Sequence, residues 1–327
     1  MKDLSVEYLG LRLKNPIIVG SCGLTGSVGK IRELAENQAG AVVLKSLFEE
    51  QIQAELSNNM ESYNTDYPEA WDYVREYTRG SAVQGYISLI SEAKQSVDIP
   101  VIASINCVSG AEWVSLAKSV EQAGADALEL NISLLPSNPK TTCQENEDLF
   151  FSIMERVGSS LSIPITLKMS KYSSSLANLV TRLSWRSEVG GFVLFNRFHN
   201  PDIDIDRMAV NSSDIFSVPE ENYDTLRWIA LMSGIIEKDL VAGTGIHDSK
   251  SLIKQLLAGA TAVQVVSTIY KNGPGQIKVL LDGLEQWMEE KSYAKIEDFR
   301  GKLSRDQVEN PAAFERIQFM KHFGGIA

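Results

Sequence analysis

DLVAGTGIHDSKSLIKQLLAGATAVQVVS, residues 239–267, holds one complete repeat of the fold. A short apolar run, Asp239–Thr244, leads into a Gly243-Thr-Gly245 turn; Ser249–Ala258 follows, and a second apolar run, Ala262–Ser267, closes the unit. In the middle segment Leu252, Leu256 and Leu257 recur at a spacing that puts them on one helical face. Gly259 comes next, where the chain reversal calls for a left-handed residue. The flanking runs are too short and too rich in Val, Leu and Ala for an amphipathic surface helix. Continuous apolar strands of this kind belong to a parallel sheet covered by helices.

The unit repeats outward from there. Apolar runs lie at Pro16–Ser21, Ala41–Ser46, Pro100–Ile105, Ala127–Ile132, Pro164–Met169 and Gly191–Asn196. Helical patterns separate them, among them Lys30–Asn37 with Ile31, Leu34 and Ala35, and Ala111–Ala123 with Val114, Ala117 and Val120. Gly40 and Gly124 stand where Gly259 stands, just before a strand. Eight such units without a break in composition imply one closed (β/α)8 TIM barrel over residues 1–327, an α/β fold in which right-handed crossovers set the helices outside. An open doubly wound sheet is the runner-up; the count of eight favours closure. Residues 47–80 read as a long polar loop fit to cover the site, and 197–221 as a second loop carrying Asp202, Asp204 and Asp206. Residues 304–327 form a C-terminal helical extension whose Phe314, Ile317, Phe319 and Met320 are expected to pack on the barrel wall.

A net charge of −11 argues against a nucleic-acid partner, which needs a basic face. Cys22, Cys107 and Cys143 are far apart and form no metal-ligand pattern, so no metal is expected. No run reaches membrane-spanning length and the N-terminus lacks a signal-peptide core, so the expected location is the cytoplasm, away from the membrane.

The last residues of the predicted strands carry the chemistry. They are Ser21, Lys45, Ser104 with Asn106, Asn131, Lys168, Asn196, Thr244 and Ser267. Each alone is readily a satisfied polar residue, but a ring of them at one mouth is a site. A lysine at the edge of a barrel core needs an anion against it, either a ligand or a buried carboxylate such as Glu129. Asparagine amides donate and accept toward a flat heterocycle. Gly243-Thr-Gly245 and Val265-Val-Ser-Thr268 end the last two strands, where such barrels bind one phosphate through backbone N–H groups.

These residues resemble the dihydroorotate dehydrogenase family, most of all its soluble class 1 branch and the related dihydropyrimidine dehydrogenase domain. Leu9-Gly-Leu-Arg-Leu-Lys-Asn-Pro16 is similar to the family's opening β-hairpin and first strand, and Val43-Leu-Lys-Ser46 to its flavin-lysine strand. Gly124-Ala-Asp-Ala-Leu-Glu-Leu-Asn131, Leu257–Val265 and Glu297–Lys302 match later segments. The resemblance implies an FMN oxidoreductase acting on dihydroorotate or a related small dihydropyrimidine. It implies flavin contacts from Ser21, Lys45, Ser46, Asn106, Asn131, Lys168 and Asn196, and phosphate contacts from Gly234, Thr244, Gly245, Val266 and Ser267. It also implies a homodimer.

The substrate half departs from the family. Its catalytic Cys or Ser base stands in the pattern Asn-x-Ser-Cys/Ser-Pro-Asn; here the loop reads Asn131-Ile-Ser-Leu-Leu-Pro-Ser-Asn138, and Leu134 holds that place. Ser137 and Cys143 are the substitutes on the same loop, with Lys45 beside the reacting edge. The family's Asn-Ser-Met-Gly-Leu-Pro-Asn motif is absent; the corresponding region reads Glu76-Tyr-Thr-Arg-Gly-Ser-Ala-Val-Gln-Gly85. After the sixth strand Arg197 replaces a small hydroxyl residue, and it and His199 are candidates for a different substrate's charge or proton. Two other readings stand beside this one. The chain is a flavoprotein subunit that works with an iron–sulfur electron-transfer partner, or a non-redox sugar-phosphate barrel using Lys168 or Lys45 as a Schiff base.

Overall fold

The structure is a computed structural model that describes residues 2–48, 68–106, 112–132, 134–212 and 214–315. The chain opens with an antiparallel hairpin, β1 (Val6–Tyr8) and β2 (Leu11–Leu13), joined through left-handed Leu9 and Gly10. The parallel sheet follows. Its strands are β3 (Ile17–Val19), β4 (Ala41–Val43) with the two-residue continuation β5 (Leu47–Phe48), β6 (Val101–Asn106), β7 (Ala127–Asn131), β8 (Ile165–Lys168), β9 (Val189–Leu194), and then β12 (Asp239–Gly243) and β13 (Ala262–Val265). Strand β13 pairs with β3, and β4 pairs with both β3 and β6, so the eight-stranded barrel is closed.

The strands form where the sequence is apolar without interruption, because both faces are covered. Ile17, Ile18, Val19, Val42, Val43 and Ile102 are all fully buried. Helices α1 (Val28–Glu36), α2 (Pro68–Ser96), α3 (Glu112–Gln122), α4 (Cys143–Gly158), α5 (Leu176–Ser184), α6 (Asn222–Met232) and α7 (Ser249–Ala258) follow the strands, and α8 (Ser267–Asn272) and α9 (Gln276–Glu290) complete the ring. Helix α7 buries Leu252, Ile253 and Leu256, and Gly259 ends it at φ +115°. The hairpin seals the N-terminal end of the barrel. Tyr8 and Leu13 are fully buried there, and the Leu9 N–H donates to Asp239 Oδ2 at 2.7 Å. A site can open only at the other end.

Three expectations need correction, and one holds. Residues 68–80 of the supposed loop are the start of the 29-residue α2. Their polar composition hid good helix formers behind Pro68, a residue at home in a first helical turn; residues 49–67 lie outside the described part. The loop 197–221 contains a β-ribbon, β10 (Pro201–Asp204) paired antiparallel with β11 (Ala209–Ser212). Gly40 is not a left-handed cap; Gln38, at φ +71°, turns the chain after α1. Gly40 is instead needed for space, since a Cβ there would strike the carbonyl oxygen of Asn15 and lie 3.0 Å from that of Ile17. In the C-terminal extension a short helix, α10 (Ala312–Glu315), brings Phe314 against the barrel core as expected; Ile317, Phe319 and Met320 lie outside the described residues.

Strand β4 is irregular at the position that matters. Val43 is opposite Ile102, and Leu47 is opposite Ile105. Three residues, Leu44 to Ser46, therefore face two, Ala103 and Ser104. The extra residue is a bulge, which shifts the side-chain alternation. Leu44 and Ser46 are buried while Lys45 is turned to solvent.

The Gly40 contact yields a stability prediction. Gly40→Ala should destabilise the protein by about 2 kcal/mol or more, because the Asn15 and Ile17 carbonyls at the start of β3 have no room to yield. Urea unfolding followed by far-UV circular dichroism measures it, with Gly29→Ala, where a Cβ meets nothing within 4 Å, as the control.

Candidate functional site

A cavity of about 360 Å³ opens at the C-terminal ends of the strands. Ser21, Lys168, Asn196, Thr244, Gly245, Val266 and Ser267 line it together with Phe195, Arg197 and Gln264. The fold thus brings seven residues expected to contact a cofactor to one basin. Its two ends differ in character. At one, Thr244 and Gly245 take left-handed conformations in succession, with φ +70° and +75°. Gly245 is packed against the backbone of Asn222, the first residue of α6, so no side chain fits. Consecutive left-handed residues beside a helix N-terminus can present backbone N–H groups to an anion as a cradle.

The other end rests on a continuous polar network inside the barrel. The Ser21 and Ser46 hydroxyls are 2.9 Å apart, and Ser46 and Ser104 2.6 Å apart. Ser104 Oγ donates to Glu129 Oε1 at 3.3 Å. Lys168 Nζ reaches the same oxygen at 3.4 Å and Gln264 Oε1 at 3.1 Å, while Gln264 Nε2 donates to Glu129 Oε2 at 2.6 Å. Lys168 therefore has the buried-carboxylate partner that its position demanded, and it lines the cavity as well. Asn131 is buried and accepts from Asn196 Nδ2 at 3.1 Å. Asn106, at the end of β6, is half-buried; Ser46 is buried beneath the rim. Lys45 is exposed, its stem lying over Gly26 in the turn after β3, outside the cavity lining.

A strap, residues 214–218, crosses the cradle end. The Arg197 side chain holds it from below, donating to both Glu221 carboxylate oxygens at 3.0 and 3.2 Å and to the carbonyls of Ile215 and Asp214. Ser217 ties it down: its N–H donates to Ser267 Oγ, its hydroxyl meets His247 Nε2 at 3.0 Å, and its carbonyl accepts from Lys271 Nζ. Burial, and then the Lys271 ammonium, hold the His247 imidazole below its ordinary value. Arg197 is thus engaged in structure, and His199 is an exposed residue on the cavity wall.

Other expected residues fall elsewhere. Gly234 is at the opposite end of the barrel, between α6 and β12, where a Cβ would meet the Asp306 carboxylate. A phosphate in the cradle is out of its reach, because helices run from the mouth back to the bottom before the next strand starts. Cys143 is exposed at the start of α4 and accepts from Ser174 Oγ at 3.4 Å. It lines a second cavity, about 500 Å³, with Leu134, Lys171, Tyr172 and Glu147. Ser137 is exposed and contributes to neither cavity. Sequence reasoning missed Gln264, Ser217 and His247. For Gln264 the signal was present, a lone polar residue inside the apolar run Ala262–Ser267; for the other two it was not.

Among the described residues no cluster of His, Cys, Asp and Glu is placed to hold a metal ion, and no helix is long and apolar enough to cross a membrane. Comparison with protein families matches residues 3–288 to the family described as dihydroorotate dehydrogenase. Two similar proteins are the catalytic subunits of dihydroorotate dehydrogenase B (NAD(+)) from Thermoplasma volcanium and Pyrococcus furiosus. The first is 26% identical over 313 residues, 92% of this chain and 98% of the relative. The second is 23% identical over 304 residues, 91% and 98% respectively.

The strap should loosen in acid. His247 is held neutral in the folded protein, so its contribution is full above its ordinary 6.5 and fades as pH falls below that value. Limited proteolysis with cleavage mapped by mass should show cuts within 206–217 increasing over that range. His247→Gln, which keeps a polar group and removes the titration, should flatten the dependence.

Proposed function

The chain belongs to the dihydroorotate dehydrogenase family, and from that premise we propose that this oxidoreductase, acting on a CH–CH group, oxidises dihydroorotate or a related dihydropyrimidine with FMN held in the mouth cavity. One observation carries the reading: the cavity offers an anion cradle at one end and a fixed ammonium with amides at the other, which suits a flat heterocycle bearing a single phosphate. When bound, FMN supplies the acceptor for the hydride. The Thr244–Gly245 and Val266–Ser267 backbone, with the Ser267 hydroxyl, would hold the phosphate. Lys168, Asn131, Asn196 and Asn106 would hold the heterocycle, and Ser21 and Ser46 its near edge. A fixed positive charge at the pyrimidine edge favours the electron-rich form of the ring.

A dihydropyrimidine loses a proton along with the hydride, and Leu134 has no atom to accept it. Cys143 is the proton acceptor in this reading: it shares a cavity with Leu134, Lys171 and Tyr172, and Lys171 and Tyr172 also line a smaller cavity with Asn196 and Thr244 of the mouth. The purified protein should be yellow and release FMN by mass, and anaerobic dihydroorotate or dihydrouracil should bleach it. Cys143→Ala should slow that bleaching about 100-fold or more, the range of general-base loss, and Ser137→Ala should not. A colourless protein that takes up no FMN would overturn the reading.

The ribbon supports an assembly proposal. Ile203 and Val210 are directly opposite across β10 and β11, 68% and 79% exposed, and Met208 at the tip is 88% exposed. Asp202 and Asn211 share the other face. An exposed apolar face of this kind on an acidic chain is suited to a second copy forming a homodimer; an iron–sulfur subunit taking the electrons onward is the other partner the family reading carries. Sedimentation of the chain alone should give a dimer, and Ile203→Asp with Val210→Asp a monomer of unchanged fold.

A further inference from the structure

Glu129 is fully buried in the barrel, in the middle of β7. Taking a carboxylate out of water is costly, and the cost is offset only when donors converge on it. Three do: Ser104 Oγ at 3.3 Å, Lys168 Nζ at 3.4 Å and Gln264 Nε2 at 2.6 Å. The three donors come from different strands, β6, β8 and β13. A hydrophobic residue would fill this layer more cheaply, so the carboxylate's presence calls for a role.

The role lies in how Lys168 is held. Gln264 bridges the pair: its amide N–H donates to Glu129 and its carbonyl oxygen accepts from Lys168. That double engagement fixes which way the amide points, which a free glutamine leaves undecided. Lys168 then has one N–H to Glu129 and one to Gln264. An ammonium has three protons, so one remains, on a side chain that is 12% exposed and lines the cavity. The ammonium is aimed, and its field is partly cancelled by a carboxylate on its far side.

We propose that Glu129 is a positioning residue that, through Lys168 and Gln264, sets the reduction potential of the flavin bound in the mouth. The inference rests on the FMN reading above. Reduction adds electron density to the ring; a lone ammonium beside it favours that change, and a carboxylate behind the ammonium moderates it. Glu129 therefore holds the bound flavin at a lower potential than Lys168 alone would.

The test measures FMN affinity and midpoint potential, not turnover. FMN is titrated into the flavin-stripped full chain, and the potential is read by spectral equilibration against a reference dye. Glu129→Gln keeps the shape and most hydrogen bonds but removes the charge. It should favour binding of reduced over oxidised FMN about tenfold or more, which for two electrons is an upward shift of about 30 mV. The shift should shrink when the same change is made in a Lys168→Met background, where no ammonium remains for Glu129 to position. A potential unchanged by Glu129→Gln, or an equal shift with and without Lys168, overturns the proposal. If Glu129→Gln does not fold, Gln264→Leu keeps both charges and removes the bridge; it should weaken FMN binding at least threefold and move the potential, and no change in either would likewise overturn it. Failure of the unaltered protein to bind FMN would instead refute the cofactor reading, so the two failures are distinguishable.

Discussion

The seam between β4 and its two neighbours governs the rest of the molecule. A parallel sheet becomes a barrel only if one strand satisfies backbone groups on both sides, and β4 does so with very few residues. Gly40 N–H donates to the Ile17 carbonyl, while Val42 N–H and Leu44 N–H donate to Pro100 and Ile102. Those bonds require the chain after α1 to approach β3 more closely than any side chain permits, which is why Gly40 precedes the strand. Without closure the strand ends would fan out along an open edge, and the eight termini would not share a rim.

Closure also explains the irregularity in β4. Once the seam is formed, the chain must leave the barrel toward the outer helices while still presenting a polar group inward. The bulge at Leu44–Ser46 does both, placing the Ser46 hydroxyl between Ser21 and Ser104 and turning Lys45 outward. The serine chain then leads to Glu129, Lys168 and Gln264 without a gap. A buried ionic pair of this kind seldom stabilises a fold relative to apolar packing. Its location directly under the cavity, rather than elsewhere in the core, fits a function in aiming a charge.

The sequence disclosed what is written by local pattern. Apolar runs, helical spacing and glycine at helix ends revealed the barrel, and the last residue of each run located the mouth. The pairing of Lys168 with Glu129 was legible as the alternative to a ligand, and both descriptions apply to the same lysine. What escaped was set by contacts distant in sequence. Nothing near Arg197 signals that its guanidinium would meet Glu221 and the carbonyls at 214 and 215. Gly234 looked like a phosphate glycine by position in a pattern, yet chain direction puts it at the bottom of the barrel. Helix α2 was obscured because its first turns follow a long polar stretch and mix Trp71, Tyr73, Val74 and Tyr77 with charged residues, so no clean apolar stripe stood out.

The division between a retained and a rewritten half of the site follows from how the two are supported. Ser21, Lys168, Asn196, Thr244 and Ser267 sit at or just beyond strands whose ladder and packing fix them from several sides, so changing one disturbs the barrel. The residues after β7 are held by far less: from Leu134 to Lys140 their hydrogen bonds are short-range turns, and Leu135 to Lys140 are exposed. Apart from Leu134, which packs against the core, such a loop can change its side chains with little cost to the fold. In the proposed reading, cofactor binding would therefore be the property that the barrel itself enforces, while the choice of substrate would be left to loops. A family resemblance carried mainly by strand ends speaks strongly for the first and only weakly for the second.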